Sequence, residues 1–242
     1  MQRADICLTN LKLARSRTYA KKIILDKRAF CNGKLILKPS QLVDENNITV
    51  KNIQEDKYVG RGAIKLKYAI DKFKLSLDDK ICMDIGSSTG GFTQIMLLNN
   101  AKIVYSIDVG TNQLVDFLRN DKRVISLENT NFRNLSFDRI KTCVDFVSID
   151  VSFISIRYIF ENLHKFLNND TLIIALIKPQ FECGVKGLSK GIVKSKKVLF
   201  DVIENVKEYA LINNLQIINI IESPILGTDG NKEFLALIRG KF

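Results

Sequence analysis

The apolar positions of the chain change their period near residue 75. Beyond that point, short continuous apolar runs alternate with amphipathic stretches. ICMDI at 81–85, IVYSID at 103–108, VISL at 124–127, VDFVSID at 144–150 and TLIIALIK at 171–178 read as buried strands, with further strands near 216–221 and 233–239. Helical patterns lie between several of them, and a long helix is expected over about 194–213. Continuous apolar strands alternating with helices predict an α/β fold whose mostly parallel sheet is covered on both faces. Seven strands with a short last connection predict an antiparallel hairpin at its end. Before the first of these strands, Ala63, Leu66, Ala69, Ile70 and Phe73 share one face of a helix over 62–74, with Lys65 beside the edge of that stripe.

The first fifty residues read differently. Ser16 is placed to cap a helix SRTYAKKIILDK, with Tyr19, Ala20, Ile23 and Ile24 on its apolar face. Arg17, Lys21 and, if the helix lasts, Arg28 fall on another face. Asn32-Gly33 between short apolar runs predicts a hairpin, because a type I′ turn needs two residues tolerant of positive φ. ITV at 48–50 is a further short strand. A polar segment then leads into YVGRG, so the chain divides into a small α+β domain over 1–57, a linker over 58–62 and a large domain over 63–242.

Composition narrows the function. The chain has 242 residues, is 46% apolar and 26% charged, and carries 37 Lys and Arg against 26 Asp and Glu. That is a globular composition. No run of eighteen apolar residues is present, so no membrane span is expected. No signal-peptide core opens the chain. Five scattered cysteines, never in CxxC spacing, and a single His164 argue against a disulfide framework and a metal site, and for free thiols in the cytoplasm. The net charge is +11 and uneven: residues 1–42 hold ten Lys and Arg and only Asp5 and Asp26. A polyanion partner follows from that asymmetry, since each phosphate neutralised releases counterions. Arg15, Arg17, Lys21, Lys22, Arg28 and Lys34 are the candidate RNA contacts.

Chemistry is concentrated in a few motifs. DIGSSTGGF at 84–92 follows the first buried strand and opens a helix, where glycines let a ligand approach the backbone. Its spacing is neither that of a dinucleotide fingerprint nor that of a Walker A loop. Asp108 ends the next strand. Four polar residues stand at the ends of apolar elements: Lys65 in GAIKL, Asp150 in SIDVSF, Lys178 in LIKPQFE and Glu233 in GNKEF. A lysine- and glycine-rich loop over 180–194, with Lys186, Lys190 and Lys194, reads as a cover for RNA or cofactor.

LARSRTYA and FCNGK resemble the S4 RNA-binding fold over roughly the first 55 residues. The DIGSSTGGF loop resembles the S-adenosylmethionine loop of Rossmann-like methyltransferases. Residues 56–242 resemble the FtsJ-type ribose 2′-O-methyltransferases, and the whole chain resembles the TlyA family, also known as hemolysins, on VGRGAIKL, DIGSSTGGFT, SIDVG, NDKRV, DVSFIS, IKPQFE and GNKEF in order. Ser88, Thr89 and Gly60 depart mildly from the family pattern. The resemblance implies methylation of ribosomal RNA ribose, at cytidines of 23S or 16S rRNA. It implies a catalytic tetrad of Lys65, Asp150, Lys178 and Glu233, with no metal. The cofactor contacts expected are Asp84, Gly86, Ser88, Gly90, Gly91, Phe92, Asp108 and Asn131. One division of roles makes Lys178 a base kept neutral by a nearby Lys65 and partial burial, with Asp150 aligning it and Glu233 balancing the second ammonium; the sequence does not distinguish the base from the orienting group. A membrane-active hemolysin and a non-catalytic RNA-binding ribosome assembly factor are the competing functions.

Overall fold

Side chains on successive strand positions point to opposite faces of a sheet, and this alternation builds the two cores of the large unit. In the computed structural model, which describes residues 1–227 and 229–241 and the side chains of these except at 54, 55 and 186, the chain divides into two units, Met1–Lys57 and Tyr58–Phe242.

In the small unit, β1 (Gln2–Arg3) leads into α1 (Ala4–Asn10), and α2 (Arg17–Leu25) begins at Ser16, whose Oγ accepts from the Tyr19 N–H at 3.2 Å. Helix α2 stops at Leu25, earlier than the pattern suggests, and Lys27 takes a positive φ just after it. Strands β2 (Ala29–Cys31) and β3 (Lys34–Leu35) form the expected hairpin, with φ of 51° at Asn32 and 72° at Gly33. After β4 (Leu42–Val43), which pairs with β1, comes β5 (Ile48–Val50), which pairs with β2. The core joins Cys7 and Leu8 of α1 to Ala20, Ile23 and Ile24 of α2 and to Ile36 and Val43.

The large unit opens with α3 (Gly62–Phe73), β6 (Ile81–Ile85), α4 (Gly91–Leu98), β7 (Ile103–Ile107), α5 (Asp116–Arg119) and β8 (Val124–Leu127). It continues with β9 (Val144–Ile149), α6 (Arg157–Leu163), β10 (Leu167–Ile177), α7 (Pro179–Glu182), α8 (Lys196–Ile212), β11 (Leu215–Glu222) and β12 (Phe234–Gly240). The sheet order is β11-β12-β10-β9-β6-β7-β8. Strands β10, β9, β6, β7 and β8 are parallel, whereas β12 is antiparallel to both neighbours. The closing hairpin is thus present, but its second strand is inserted between β10 and β11. Cys82, Val104 and Phe146 face α3 and α4, while Met83, Tyr105 and Val147 face α6 and α8.

Strand order reverses between β6 and β9. Ligands bind at such a switch point, beyond the carboxyl ends of the strands. Residues 58–62, expected as linker, are part of the large unit: Tyr58 and Val59 pack on the α3–α4 core, and the Val59 N–H donates to Gln94 Oε1 at 2.8 Å. Among the described residues no helix is long and apolar enough to cross a membrane. All five cysteines are free.

Candidate active site

Three cavities open at the carboxyl ends of β6 and β9, and Gly86, Ser88 and Asp150 contribute to the walls of all three. The local sequence makes this possible. The chain leaves β6 at Gly86 with φ of 84°, and a Cβ there would lie 2.3 Å from the Asp150 carbonyl oxygen. The Asp150 N–H donates to the Ile85 carbonyl at 2.9 Å. Only glycine lets the two strand ends approach so closely. Asp108, just after β7, accepts from the Ser88 and Gly110 N–H groups at 2.7 Å each, which fixes the turn against the end of β7.

The largest cavity has a volume of about 450 Å³, within the range of small-molecule sites. Of the expected cofactor residues, Gly86, Ser88, Asp108 and Asn131 wall it, and Gly91 and Phe92 wall an adjoining one of about 180 Å³. The Asn131 Oδ1 also accepts from the Arg133 N–H at 3.1 Å, capping the turn beneath it.

Two members of the expected set are not among the residues that line these three cavities. Asp84 is fully buried and accepts from the Thr93 N–H at 2.9 Å, the Thr93 hydroxyl at 2.7 Å and the Ser148 hydroxyl at 2.8 Å. It braces the glycine-rich loop from below. Burial raises its carboxyl to about 6, against the opposing pull of those hydrogen bonds. Gly90 takes a φ of 96°, a conformation that favours glycine, and a Cβ there would crowd the ends of the Leu118 and Leu114 side chains. Asp84 and Gly90 thus shape the loop from within, and as ligand contacts they stand as expectations.

A cavity of about 230 Å³ gathers Lys65, Asp150, Lys178 and Glu233. Lys178 Nζ lies 2.6 Å from Asp150 Oδ1 and donates to Ser152 Oγ at 2.9 Å. Lys65 Nζ lies 2.5 Å from Glu233 Oε2. Each ammonium thus has a carboxylate as its ion-pair partner, Asp150 for Lys178 and Glu233 for Lys65. Lys65 is buried despite its place beside the apolar stripe, because Glu233 of the last strand reaches the same spot. Sequence reasoning did not assign Ser152 and Arg61, which also wall this cavity; both lie inside the motifs DVSFIS and VGRGAIKL. Among the described residues no group of three or more His, Cys, Asp or Glu is arranged to hold a metal.

The basic residues of the small unit separate into two kinds. Lys21 and Lys34 are exposed. Arg15 lies over the Tyr19 ring at 3.7 Å, Arg17 pairs with buried Asp5 at 3.0 Å, and Lys22 pairs with Asp26 at 2.5 Å. Arg28 is 6% exposed and paired with Asp56 at 2.7 Å. It falls beyond the end of α2 and turns inward toward Asp56, whereas the other five candidates are exposed. Replacing Lys21 and Lys34 together by alanine should lower the slope of RNA affinity against salt by roughly one unit for each phosphate no longer neutralised. Arg28→Ala should leave that slope unchanged while destabilising the small unit; salt titrations and melting curves check both.

The loop beyond Cys183 is pinned, with buried Asn231 accepting from the Val193 N–H and donating to the Gly191 carbonyl, both at 2.9 Å. Lys190 and Lys194 are exposed, and the Lys186 side chain lies outside the described residues. Residues 180–194 are not among those that line the three cavities.

The family model of FtsJ-like methyltransferases matches residues 58–239, and that of the S4 domain matches residues 2–48. Hemolysin A of Brachyspira hyodysenteriae is 42% identical over 224 residues, 91% of this chain and 92% of that protein. The protein of Mycobacterium tuberculosis named 16S/23S rRNA (cytidine-2′-O)-methyltransferase TlyA is 36% identical over 239 residues, 98% of this chain and 89% of its own. A solved structure of a provisionally named hemolysin from Streptococcus thermophilus is 40% identical, with a TM-score of 0.80 covering 99% of this chain and 88% of that one.

Proposed function

Because the chain belongs to the FtsJ-like methyltransferase family, we propose that it methylates a ribose 2′-hydroxyl of ribosomal RNA in the cytoplasm, using S-adenosylmethionine. Relatives named for cytidine 2′-O-methylation of 16S and 23S rRNA support cytidine as the target. The observation that carries this reading is the sharing of Gly86, Ser88 and Asp150 between the largest cavity and the one holding two lysine–carboxylate pairs.

The residues fit the cofactor: a cavity of suitable size, a carboxylate at Asp108 for ribose hydroxyls, and a turn at Gly86 with no side chain in the way. When bound, S-adenosylmethionine supplies an electrophilic methyl group. The chain's own task is to hold the RNA hydroxyl in line and remove its proton. Positioning is the larger contribution, since alignment of reacting groups supplies much of a barrier's reduction. Lys178 is the proposed acceptor of the hydroxyl proton: the ammonium paired with Asp150 first gives up a proton to solvent, and it becomes an ammonium again when the hydroxyl proton is taken up, stabilised by the charge-assisted contact to the carboxylate 2.6 Å away. Ser152 limits the rotamers open to Lys178. The Lys65–Glu233 pair lines the same cavity.

Purified protein incubated with methyl-labelled cofactor and undermethylated ribosomal subunits should label rRNA ribose, and mapping of 2′-O-methyl positions identifies the nucleotide. Absence of transfer to either subunit or to naked rRNA would sink the assignment. Asp108→Ala should weaken cofactor binding about 10-fold or more, as for hydrogen bonds to a charged group. Unchanged affinity by calorimetry would remove Asp108 from the site.

A further inference from the structure

We infer that Glu182, in the segment Lys178-Pro179-Gln180-Phe181-Glu182, is a positioning residue that holds the two catalytic loops in register. The inference rests on the methyltransferase reading, to which it adds a residue outside the tetrad. Lys178 and Asp150 sit on different segments: one on the turn from β10 into α7, the other on the loop from β9 to α6. The distance between them is therefore set by whatever ties those segments together.

Beyond the β9–β10 pairing that ends at Ala175 and Ile149, three side-chain ties are present among the described residues. Nearest the chemistry is the Lys178–Asp150 pair with its Ser152 contact. Next come Phe153 and Phe181, ring centroids 5.1 Å apart. At the far end, the Glu182 carboxylate accepts from the Ser155 hydroxyl at 2.7 Å and from the Ile156 N–H at 2.8 Å. The first tie must loosen when Lys178 and Asp150 engage a substrate. The second leaves Phe153 87% exposed at a φ of 65°, a strained backbone for a bulky side chain. Glu182 alone makes two directed hydrogen bonds, and it makes them to backbone and side chain of the very loop that carries the strain. Burial raises its carboxyl above the usual range, which marks the group as enclosed between the segments.

The shape of the contact predicts which replacement succeeds. Glutamine can still accept the Ile156 N–H through its carbonyl oxygen, and its amide can donate to Ser155 Oγ. Alanine can do neither. At saturating RNA and cofactor, Glu182→Ala should lower kcat per folded molecule about 10- to 100-fold, the cost of a small misplacement of reacting groups. KM for RNA should move little by comparison. Glu182→Gln should restore kcat to within about 3-fold of wild type. A merely structural carboxylate would lower the folded fraction without changing kcat per folded molecule.

Amide exchange supplies a readout independent of turnover: exchange over 151–156 and 179–182 should quicken roughly 10-fold in Glu182→Ala, as expected for local opening after removal of a hydrogen bond, with β6 and β9 unaffected. It should return in Glu182→Gln. Unchanged exchange in the alanine variant overturns the inference whether or not the protein methylates RNA. So does wild-type kcat in that variant, or a glutamine variant as slow as alanine. A wild-type protein that fails to methylate refutes the functional reading instead, and the exchange result still decides the role of Glu182.

Discussion

Replacing Lys178 by alanine should cut turnover by at least about 100-fold, the low end for a missing general base, while RNA and cofactor binding persist. The side chain is 12% exposed and ends in a cavity, with Asp150 Oδ1 at 2.6 Å and Ser152 Oγ at 2.9 Å. Truncation therefore opens room for water beside Asp150 and leaves no sealed, unpaired charge, so the fold should survive. Lys178→Arg should not restore activity, because a guanidinium stays charged at any working pH and cannot take up the hydroxyl proton. Arginine does keep the ion pair with Asp150, so the two variants together divide proton acceptance from simple charge pairing. Rapid methylation by the arginine variant would assign Lys178 an electrostatic role and leave proton removal to Asp150 or solvent. Single-turnover measurement at saturating RNA is the appropriate assay, since product release could otherwise mask the chemical step.

Local chemistry was readable in the sequence wherever a feature closes over a few residues. The Asn32-Gly33 hairpin and the Ser16 cap need only their own neighbours, and the alternation in β6, β7 and β9 needs only a buried sheet. Features closed by distant residues were not readable. Arg28 looks like one more basic side chain until Asp56 is placed 2.7 Å away, and nothing in its spacing reveals that the helix stops at Leu25. Asp84 and Gly90 sit in a ligand-binding type of loop, and their partners in the fold, Thr93 and Ser148 for one and the Leu118 side chain of α5 for the other, cannot be read from the motif. Periodicity identifies strands without ordering them, so the insertion of β12 between β10 and β11 was hidden. That insertion is also what carries Glu233 to Lys65. The convergence of the four polar residues, and the expectation that Asp150 serves Lys178 and Glu233 the second ammonium, followed from ordered motifs rather than from any pattern of hydrophobicity; the distances within each pair came with the coordinates.

The second large effect should come from breaking the Lys65–Glu233 pair. Both side chains are buried, at 9% and 3% exposure, with 2.5 Å between charged atoms. Removing one partner of a buried pair strands the other charge in a poorly solvated place, which costs about 3–5 kcal/mol. Lys65→Met should therefore lower the melting temperature of the large unit by roughly 6–12 °C, taking the lower figure and the usual sensitivity of a unit this size. Combining Lys65→Met with Glu233→Leu removes both charges and should recover most of the loss, because well-packed apolar replacements of a buried pair are often neutral. The double variant then isolates chemistry from folding. With stability restored, any remaining loss of methylation belongs to the charges themselves, and at least about a 10-fold deficit is expected if the pair helps align the ribose beside Lys178. A stable double variant that methylates at the wild-type rate would confine the catalytic group to Asp150 and Lys178 and make the second pair a buried strut between α3 and the start of β12.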